Sequence, residues 1–118
     1  MAVTLYHYPG CSTCRKARKW LDAHGVEHRT VDLVAAPPSK KELTRLWKTS
    51  GLPLRKLFNT SGESYRAGGF KARLESMTDG EALDALAADG KLIKRPLLDA
   101  GDFVLVGFDE DRYEERLG

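Results

Sequence analysis

The chain has 118 residues, of which 42% are hydrophobic and 31% are charged. This length suits one domain, predicted over residues 1–118, that folds without a disulfide framework or a metal. The formal net charge of +2 is too small for a protein that grips nucleic acid through phosphates alone. Direct nucleic-acid binding is therefore not expected, and the two cysteines are available for chemistry.

The chain shows no sign of a membrane or export segment. No apolar run approaches the ~20 residues that cross a bilayer, and the first residues lack the charged start and apolar centre of a secretory signal. We therefore expect a cytoplasmic protein with no membrane contact, and a monomer as its simplest state. In a reducing compartment, a cysteine pair is more often redox-active or metal-binding than a structural bridge.

The first part of the chain has a strand–helix–strand pattern. Residues 3–8 are rich in β-branched and aromatic side chains and precede a Pro-Gly pair, which predicts a buried strand ending in a turn. Over residues 12–24, apolar side chains recur at helical spacing, namely Ala17, Trp20 and Leu21. Residues 26–33 predict a second strand, and two parallel strands joined by a helix form a right-handed βαβ unit.

The middle of the chain predicts helices. Ser39 and Glu42 have the spacing of a capping box for a helix that runs to about residue 47. The apolar face of this helix, which we expect in the core, consists of Leu43, Leu46 and Trp47. Residues 52–73 are rich in glycine and predict short helices and loops, and residues 78–88 predict a helix with Leu83 and Leu86 on its apolar face. This last helix begins with a second capping pattern, Thr78-x-x-Glu81.

The end of the chain predicts a hairpin and a helix. Residues 94–98 and 103–106 lie on either side of a turn at residues 100–102, and together they predict a hairpin. A short helix follows over about residues 109–117. The order of elements gives an α/β sheet with an all-helical insertion.

The strongest signal is Cys11-Ser12-Thr13-Cys14, a C-x-x-C that follows the first predicted strand and opens the first predicted helix. Residues three apart on a helix have Cα atoms ~5 Å apart, inside the ~4.4–6.8 Å window of a disulfide. Cys11 faces unsatisfied backbone N–H groups and the positive end of the helix dipole, both of which favour a thiolate. Cys14, one turn deeper, is then the resolving thiol. Nearby positive charge is expected to favour the thiolate further, from Arg15, Lys16, Arg18 and Lys19.

Two other interpretations of the pair remain beside redox chemistry: ordinary thiols and metal ligands. Zinc needs four ligands, and the three histidines His7, His24 and His28 form no second cluster of the usual spacing, so no metal site is predicted. A staple across a four-residue loop contributes only ~2 kcal/mol. A C-x5-R phosphate loop is excluded because residue 17 is alanine, and Walker and G-x-G-x-x-G loops are absent.

Four ordered stretches carry a resemblance to a known family: YPGCSTCRKA (8–17), LRKLFNTSG (54–62), KRPLL (94–98) and VGFDE (106–110). With them, the sequence resembles the arsenate-reductase-related (ArsC/Spx/YffB) family of the thioredoxin-like superfamily over nearly the whole chain. The resemblance implies a thioredoxin-like fold, β-α-β then β-β-α. Its core would cover about residues 1–35 and 90–118, with the all-helical insertion at about 36–89.

The resemblance also implies how the site is built. The peptide bond before Pro96 would be cis, with Pro96 beside Cys11. Arg95 would face the nucleophilic cysteine and hold a negative sulfur, a glutathione carboxylate or an oxyanion by charge-assisted hydrogen bonds. The expected catalytic residues are Cys11, Cys14 and Arg95, and the expected substrate contacts are Ser12, Thr13, Asn59 and Pro96.

Three functions follow from this resemblance. The favoured one is a thiol–disulfide oxidoreductase without a tightly bound cofactor, using glutathione or a similar small thiol as co-substrate. The second is an Spx-type redox-sensing transcription regulator that binds the C-terminal domain of the RNA polymerase α subunit. The third is arsenate reduction, for which a low rate is expected. Arginines that help bind the oxyanion in glutathione-linked arsenate reductases align with Asn59 and Gly107, and those enzymes lack the second cysteine that stands here as Cys14.

Overall fold

Four short strands form one sheet: β1 (Val3–His7), β2 (His28–Asp32), β3 (Leu97–Asp99) and β4 (Val104–Val106). The computed structural model describes residues 2–118, so Met1, the first residue of the predicted domain, lies outside the described residues. The strand order is β2-β1-β3-β4, with β1 parallel to β2 and antiparallel to β3. Strands β3 and β4 are antiparallel, which confirms the predicted hairpin.

Within residues 2–118, six α-helices surround the sheet: α1 (Ser12–Ala23), α2 (Lys40–Ser50), α3 (Glu63–Ala67), α4 (Phe70–Arg73), α5 (Asp79–Ala88) and α6 (Glu110–Leu117). Two short 3-10 segments cover Leu54–Leu57 and Gly90–Leu92. The predicted helices are confirmed to within a few residues. Across this described part of the chain, no helix combines the length and the apolar character that a membrane span requires.

The helix starts agree with the predicted caps, with one difference. At Thr78 the capping box is complete. At Ser39 only half of it forms, because the Ser39 hydroxyl accepts from the Glu42 amide at 3.2 Å while the Glu42 carboxylate turns elsewhere. That carboxylate accepts from the Tyr6 hydroxyl at 3.3 Å and from the Arg45 guanidinium. A cationic donor offers a stronger hydrogen bond than a backbone amide. The predicted capping box is therefore confirmed for the Ser39 side chain and wrong for the Glu42 side chain.

Apolar side chains fill both faces of the sheet. One cluster joins β1, β3 and β4 to α1 and α6: Val3, Leu5, Ala17, Trp20, Leu21, Leu98, Leu105 and Tyr113. The opposite cluster joins the sheet to the helices of the insertion, and among its members are Tyr6, Leu43, Leu46, Leu83, Leu86, Leu97 and Val104. The predicted core residues are confirmed except Trp47, which is only half-buried because its indole N–H reaches out to the Leu52 carbonyl at 2.9 Å.

The insertion is tied to the segment that leads into β3. Phe58 and Ile93 form an antiparallel bridge, flanked by hydrogen bonds of 2.7 Å from the Asn59 amide to the Leu92 carbonyl and from the Lys94 amide to the Leu57 carbonyl. These backbone contacts fix residue 59 beside the segment that carries residues 94 and 95. Two regions far apart in sequence thereby meet at the carboxyl end of β1.

Candidate active site

Cys11 lies at the carboxyl edge of β1, where the chain turns into α1. Its amide donates to the Tyr8 carbonyl at 2.9 Å, which closes the turn, and its extended backbone makes it the residue that precedes the helix. Cys14 lies one turn further on. Both are free thiols; Cys11 is half-buried and Cys14 is completely buried. The predicted placement of the pair at a helix start is confirmed.

The surroundings of Cys11 favour its thiolate. Burial raises the pKa of Cys11, but the amide and thiol of Cys14, the amide of Thr13 and the guanidinium of Arg95 outweigh it and bring that pKa below its usual value. The amides of Thr13 and Cys14 belong to the first turn of α1, where backbone N–H groups have no acceptor within the helix and are available to a thiolate.

The expected contribution of the basic residues on α1 needs correction. Arg15, Lys16, Arg18 and Lys19 are all exposed, and they are not among the main groups that lower the pKa of Cys11. Solvent screens exposed charges, whereas an amide or a guanidinium that donates directly to the sulfur acts at close range. The thiolate is therefore favoured by the helix start and by Arg95.

Cys14 has the opposite tendency. Its pKa is raised to about 12: burial is the largest cause, a hydrogen bond to the Cys11 sulfur and the charge of that sulfur add to it, and the Tyr8 amide opposes it. The two thiols are therefore different in kind. Cys11 gives up its proton readily, and Cys14 keeps its proton and donates it in a hydrogen bond to Cys11.

Arg95 reaches the sulfur from the segment before β3. Its guanidinium carbon lies 4.9 Å from the centre of the Tyr8 ring, and its Nη1 atom is buried without a hydrogen-bond partner among residues 2–118. The Arg95–Pro96 peptide bond is cis, as the resemblance implies. Pro96 itself is buried, and its carbonyl accepts from the Gly107 amide at 2.8 Å.

A cleft of about 470 Å³ opens at Cys11. Of the predicted site residues, the structure brings Cys11, Thr13, Asn59 and Arg95 to its wall. The other three lie elsewhere: Cys14 is buried behind Cys11, Pro96 is buried, and the Ser12 side chain is exposed to solvent away from this wall.

Sequence analysis missed other residues that line the cleft. Lys94, Asp109 and Arg112 are the charged ones, and Phe108 adds an aromatic wall. Lys94 lies in one of the stretches that carry the resemblance, so its position was available as a signal. Arg112 had no such signal, because its place in the cleft depends on how α6 packs against the sheet.

A second cleft of about 450 Å³ lies on the other side of Arg95. It shares Asn59 and Arg95 with the first, and its other charged residues are Glu63 and Lys91. Asn59 packs closely over Gly62, where an added Cβ would lie 2.7 Å from the asparagine nitrogen. The absence of a side chain at residue 62 therefore leaves room for Asn59 between the two clefts.

Comparison with known proteins gives a consistent family. The ArsC family model matches residues 6–116. The chain is 52% identical over 115 residues to the uncharacterized protein YusI of Bacillus subtilis, with 98% of each chain covered. It is 28% identical over 107 residues to the regulatory protein MgsR of the same organism, with 91% of this chain and 83% of MgsR covered.

Solved structures agree. An ArsC family related protein from Bacteroides fragilis matches with a TM-score of 0.94 at 42% identity, over 98% of this chain and 97% of that one. The fold is thioredoxin-like, as the sequence predicts, with a helical segment between its two halves. A regulatory protein and an arsenate reductase are among the proteins to which the chain is similar. The protein therefore belongs to the ArsC family.

Proposed function

We propose that the protein is a thiol–disulfide oxidoreductase in which Cys11 is the nucleophile and Cys14 the resolving thiol. The observation that carries this proposal is the contrast between two thiols one helical turn apart, since the pKa of Cys11 is lowered and that of Cys14 is raised to about 12. Membership of the ArsC family supports a thiol-based redox role. The open cleft beside Cys11 offers a disulfide access to the reactive sulfur.

In the first step, the Cys11 thiolate attacks one sulfur of a substrate disulfide. The sulfur–sulfur bond of the substrate breaks, a mixed disulfide with Cys11 forms, and the other half leaves as a thiolate that takes a proton from water. Arg95 stabilises the negative charge while it passes from the attacking to the leaving sulfur, because its guanidinium donates toward that position.

In the second step, Cys14 loses its proton and attacks the Cys11 sulfur. The internal disulfide forms, the second half of the substrate leaves as a thiolate, and the substrate has gained the two electrons that the cysteine pair has lost. Two molecules of a small thiol such as glutathione then reduce the pair and leave as their own disulfide. No tightly bound cofactor takes part in this cycle.

Trapping the mixed disulfide tests the proposal. In Cys14→Ser, incubation with 2-hydroxyethyl disulfide is expected to leave a stable adduct on Cys11 that mass spectrometry detects, because the resolving thiol is gone. Cys11→Ser is expected to form no adduct, because the remaining Cys14 is buried and protonated. Lys16→Ala, on the exposed face of α1, serves as the control and is expected to behave like the unaltered protein.

Two results contradict the proposal. The first is the absence of an adduct on Cys11 in Cys14→Ser. The second is an adduct on Cys14 in Cys11→Ser that forms as fast as the adduct on Cys11 in Cys14→Ser, because this result reverses the assigned roles.

The second candidate is a redox-sensing regulator, and the relation to MgsR favours it. Here the same Cys11–Cys14 bridge changes the affinity for a protein partner, the C-terminal domain of the RNA polymerase α subunit, without turnover. Retention of that domain on the immobilised protein, compared with and without oxidant, separates this candidate from the enzyme. A difference in retention between the oxidised and the reduced protein that disappears in Cys14→Ser supports the regulator. Equal retention with and without oxidant, or no retention at all, excludes it.

Arsenate reduction has less support from this cleft. Its wall carries neutral residues, Asn59 and Gly107, at the positions that align with oxyanion-binding arginines. Without these two arginines, a multiply charged transition state beside Arg95 lacks two charge-assisted contacts of ~1.5–3 kcal/mol each. We therefore expect slow arsenate-dependent consumption of thiols, and a rate comparable with disulfide reduction contradicts this reasoning.

A further inference from the structure

The wall of the cleft beside Cys11 contains positive charges that the proposed exchange reaction of Cys11 and Cys14 does not use. Besides Arg95, its wall includes Lys94 and Arg112, and neither of these forms an ion pair within residues 2–118. The carboxylate in the wall is that of Asp109, which caps α6 by accepting from the amides of Asp111 and Arg112 at 3.0 and 3.4 Å. Two cations therefore remain available to a ligand.

Gly107 accounts for the position of Lys94. Its φ of 78° lies in the left-handed region, and a Cβ added at this residue would lie 3.6 Å from the Lys94 Cε atom. The aliphatic part of the lysine thus lies across bare glycine backbone, and Lys94 forms part of the cleft wall. A long side chain at residue 107 would compete for the space that Lys94 uses.

Arg112 approaches from another element, the first turn of α6. That turn is anchored because the rings of Phe108 and Tyr113 pack edge to face with centres 4.8 Å apart, and Tyr113 is completely buried. Arg112 itself is exposed, so its guanidinium is free to meet a carboxylate. The cations of the two elements face one cleft of about 470 Å³, which is in the size range of sites that hold small organic molecules.

We propose that Lys94 and Arg112 form a carboxylate-binding subsite that selects disulfides bearing carboxylates, of the size of a short acidic peptide, over neutral and cationic disulfides. The disulfide lies at Cys11 and the carboxylate lies between the two cations. Arg112 offers a planar fork that matches a carboxylate, and Lys94 offers a compact charge. The inference rests on the proposed function for the exchange step, which remains the attack by Cys11 described above.

Three probes of similar length and different charge test the subsite. They are 3,3′-dithiodipropionate with two carboxylates, 2-hydroxyethyl disulfide without charge, and cystamine with two ammonium groups. In Cys14→Ser, which retains the adduct, the dianion is expected to form the Cys11 adduct about fivefold faster than the neutral probe at low salt, and cystamine is expected to be slowest. High salt is expected to reduce this difference because the site is open to solvent.

Substitutions assign the preference to the two residues. Lys94→Gln and Arg112→Gln are each expected to reduce the ratio of dianion to neutral rates about threefold. Lys41→Gln, an exposed lysine on α2 outside the cleft, removes the same charge from the protein and is expected to leave the ratio unchanged. A ratio that falls equally in Lys41→Gln means that net charge causes the preference and overturns the subsite.

Alkylation separates the failure of this inference from the failure of the proposed function. Iodoacetate and iodoacetamide both label a thiolate and need no disulfide exchange, so the ratio of their rates at Cys11 reports the subsite alone. If the disulfides react but neither ratio changes in the Lys94→Gln, Arg112→Gln double variant, the subsite is wrong and the oxidoreductase stands. If no disulfide reacts while the iodoacetate preference is lost in the double variant, the subsite stands and the oxidoreductase is wrong.

Discussion

Arg95→Gln is expected to weaken Cys11 as a nucleophile without unfolding the protein. Arg95 lowers the pKa of Cys11 by donating a hydrogen bond to its sulfur, and glutamine removes the charge but keeps a polar side chain. A hydrogen bond to a charged partner contributes ~1.5–3 kcal/mol. Because Cys11 is only half-buried, solvent weakens the effect by about half, which leaves about 1 kcal/mol, or about a fivefold change.

The pH profile of alkylation by iodoacetamide measures this change. Loss of Arg95 raises the pKa of Cys11, so the profile should move to higher pH, and the rate below the midpoint should fall about fivefold. The plateau at high pH should not fall, because every Cys11 is then a thiolate and a thiolate of higher pKa is the stronger nucleophile. Cys14 does not interfere, since burial raises its pKa to about 12.

The conservative variant provides the control. Arg95→Lys keeps the positive charge but not the planar fork, and it should recover part of the lost reactivity at low pH. Coincident profiles of Arg95→Gln and the unaltered protein refute the reasoning. A lower plateau with an unchanged midpoint also refutes it, because Arg95 then controls access to the sulfur and not its charge.

Two further predictions concern the fold. Gly90→Ala is expected to lower the free energy of unfolding by about 2–3 kcal/mol, because an added Cβ would overlap the Leu33 carbonyl oxygen. Gly80→Ala is the control: the nearest contact of its added Cβ is 3.7 Å away, so the free energy of unfolding should stay unchanged or rise slightly. Urea unfolding measures both, and equal effects contradict the argument. Tyr113→Phe is expected to raise the midpoint of urea unfolding by the equivalent of about 1 kcal/mol, because the buried hydroxyl has no hydrogen-bond partner within residues 2–118. A lower midpoint contradicts this expectation.

The parts of the fold that sequence analysis predicts are those with local signals. The β-branched run before Pro-Gly, the Thr78-x-x-Glu81 cap and the turn at residues 100–102 each depend on neighbours in sequence, and each element forms where the pattern indicates. The placement of Cys11 before the helix and of Cys14 one turn inside it is also local in origin. The contrast between their pKa values depends in addition on the burial of Cys14 and on Arg95, which is far away in sequence.

What sequence analysis missed depends on contacts between distant segments. The half-formed cap at Ser39 results from Arg45 and Tyr6, which draw away the Glu42 carboxylate. The charged wall of the cleft arises because the hairpin and α6 return to the carboxyl edge of β1 and bring Arg112 to Cys11. No spacing within one segment contains this information, because it is set by the order of strands in the sheet.

The same contrast between the thiols predicts that closure of the internal disulfide and attack by Cys11 depend on pH differently. Burial is the largest cause of the raised pKa of Cys14, and burial persists after Cys11 has entered a mixed disulfide, although the charge of its sulfur is lost. Cys14 should therefore remain mostly protonated from neutral to moderately alkaline pH. Its rate of closure should rise about tenfold per pH unit.

The rate of attack by Cys11 should level off at lower pH, because the pKa of Cys11 lies below its usual value. Acid quenching followed by mass spectrometry resolves the two steps, since the mixed disulfide and the bridged protein differ in mass by one substrate half. The mixed disulfide should therefore accumulate at neutral pH and disappear as the pH rises. If both rates level off at the same pH, the two thiols share one environment, and burial of Cys14 does not control the second step.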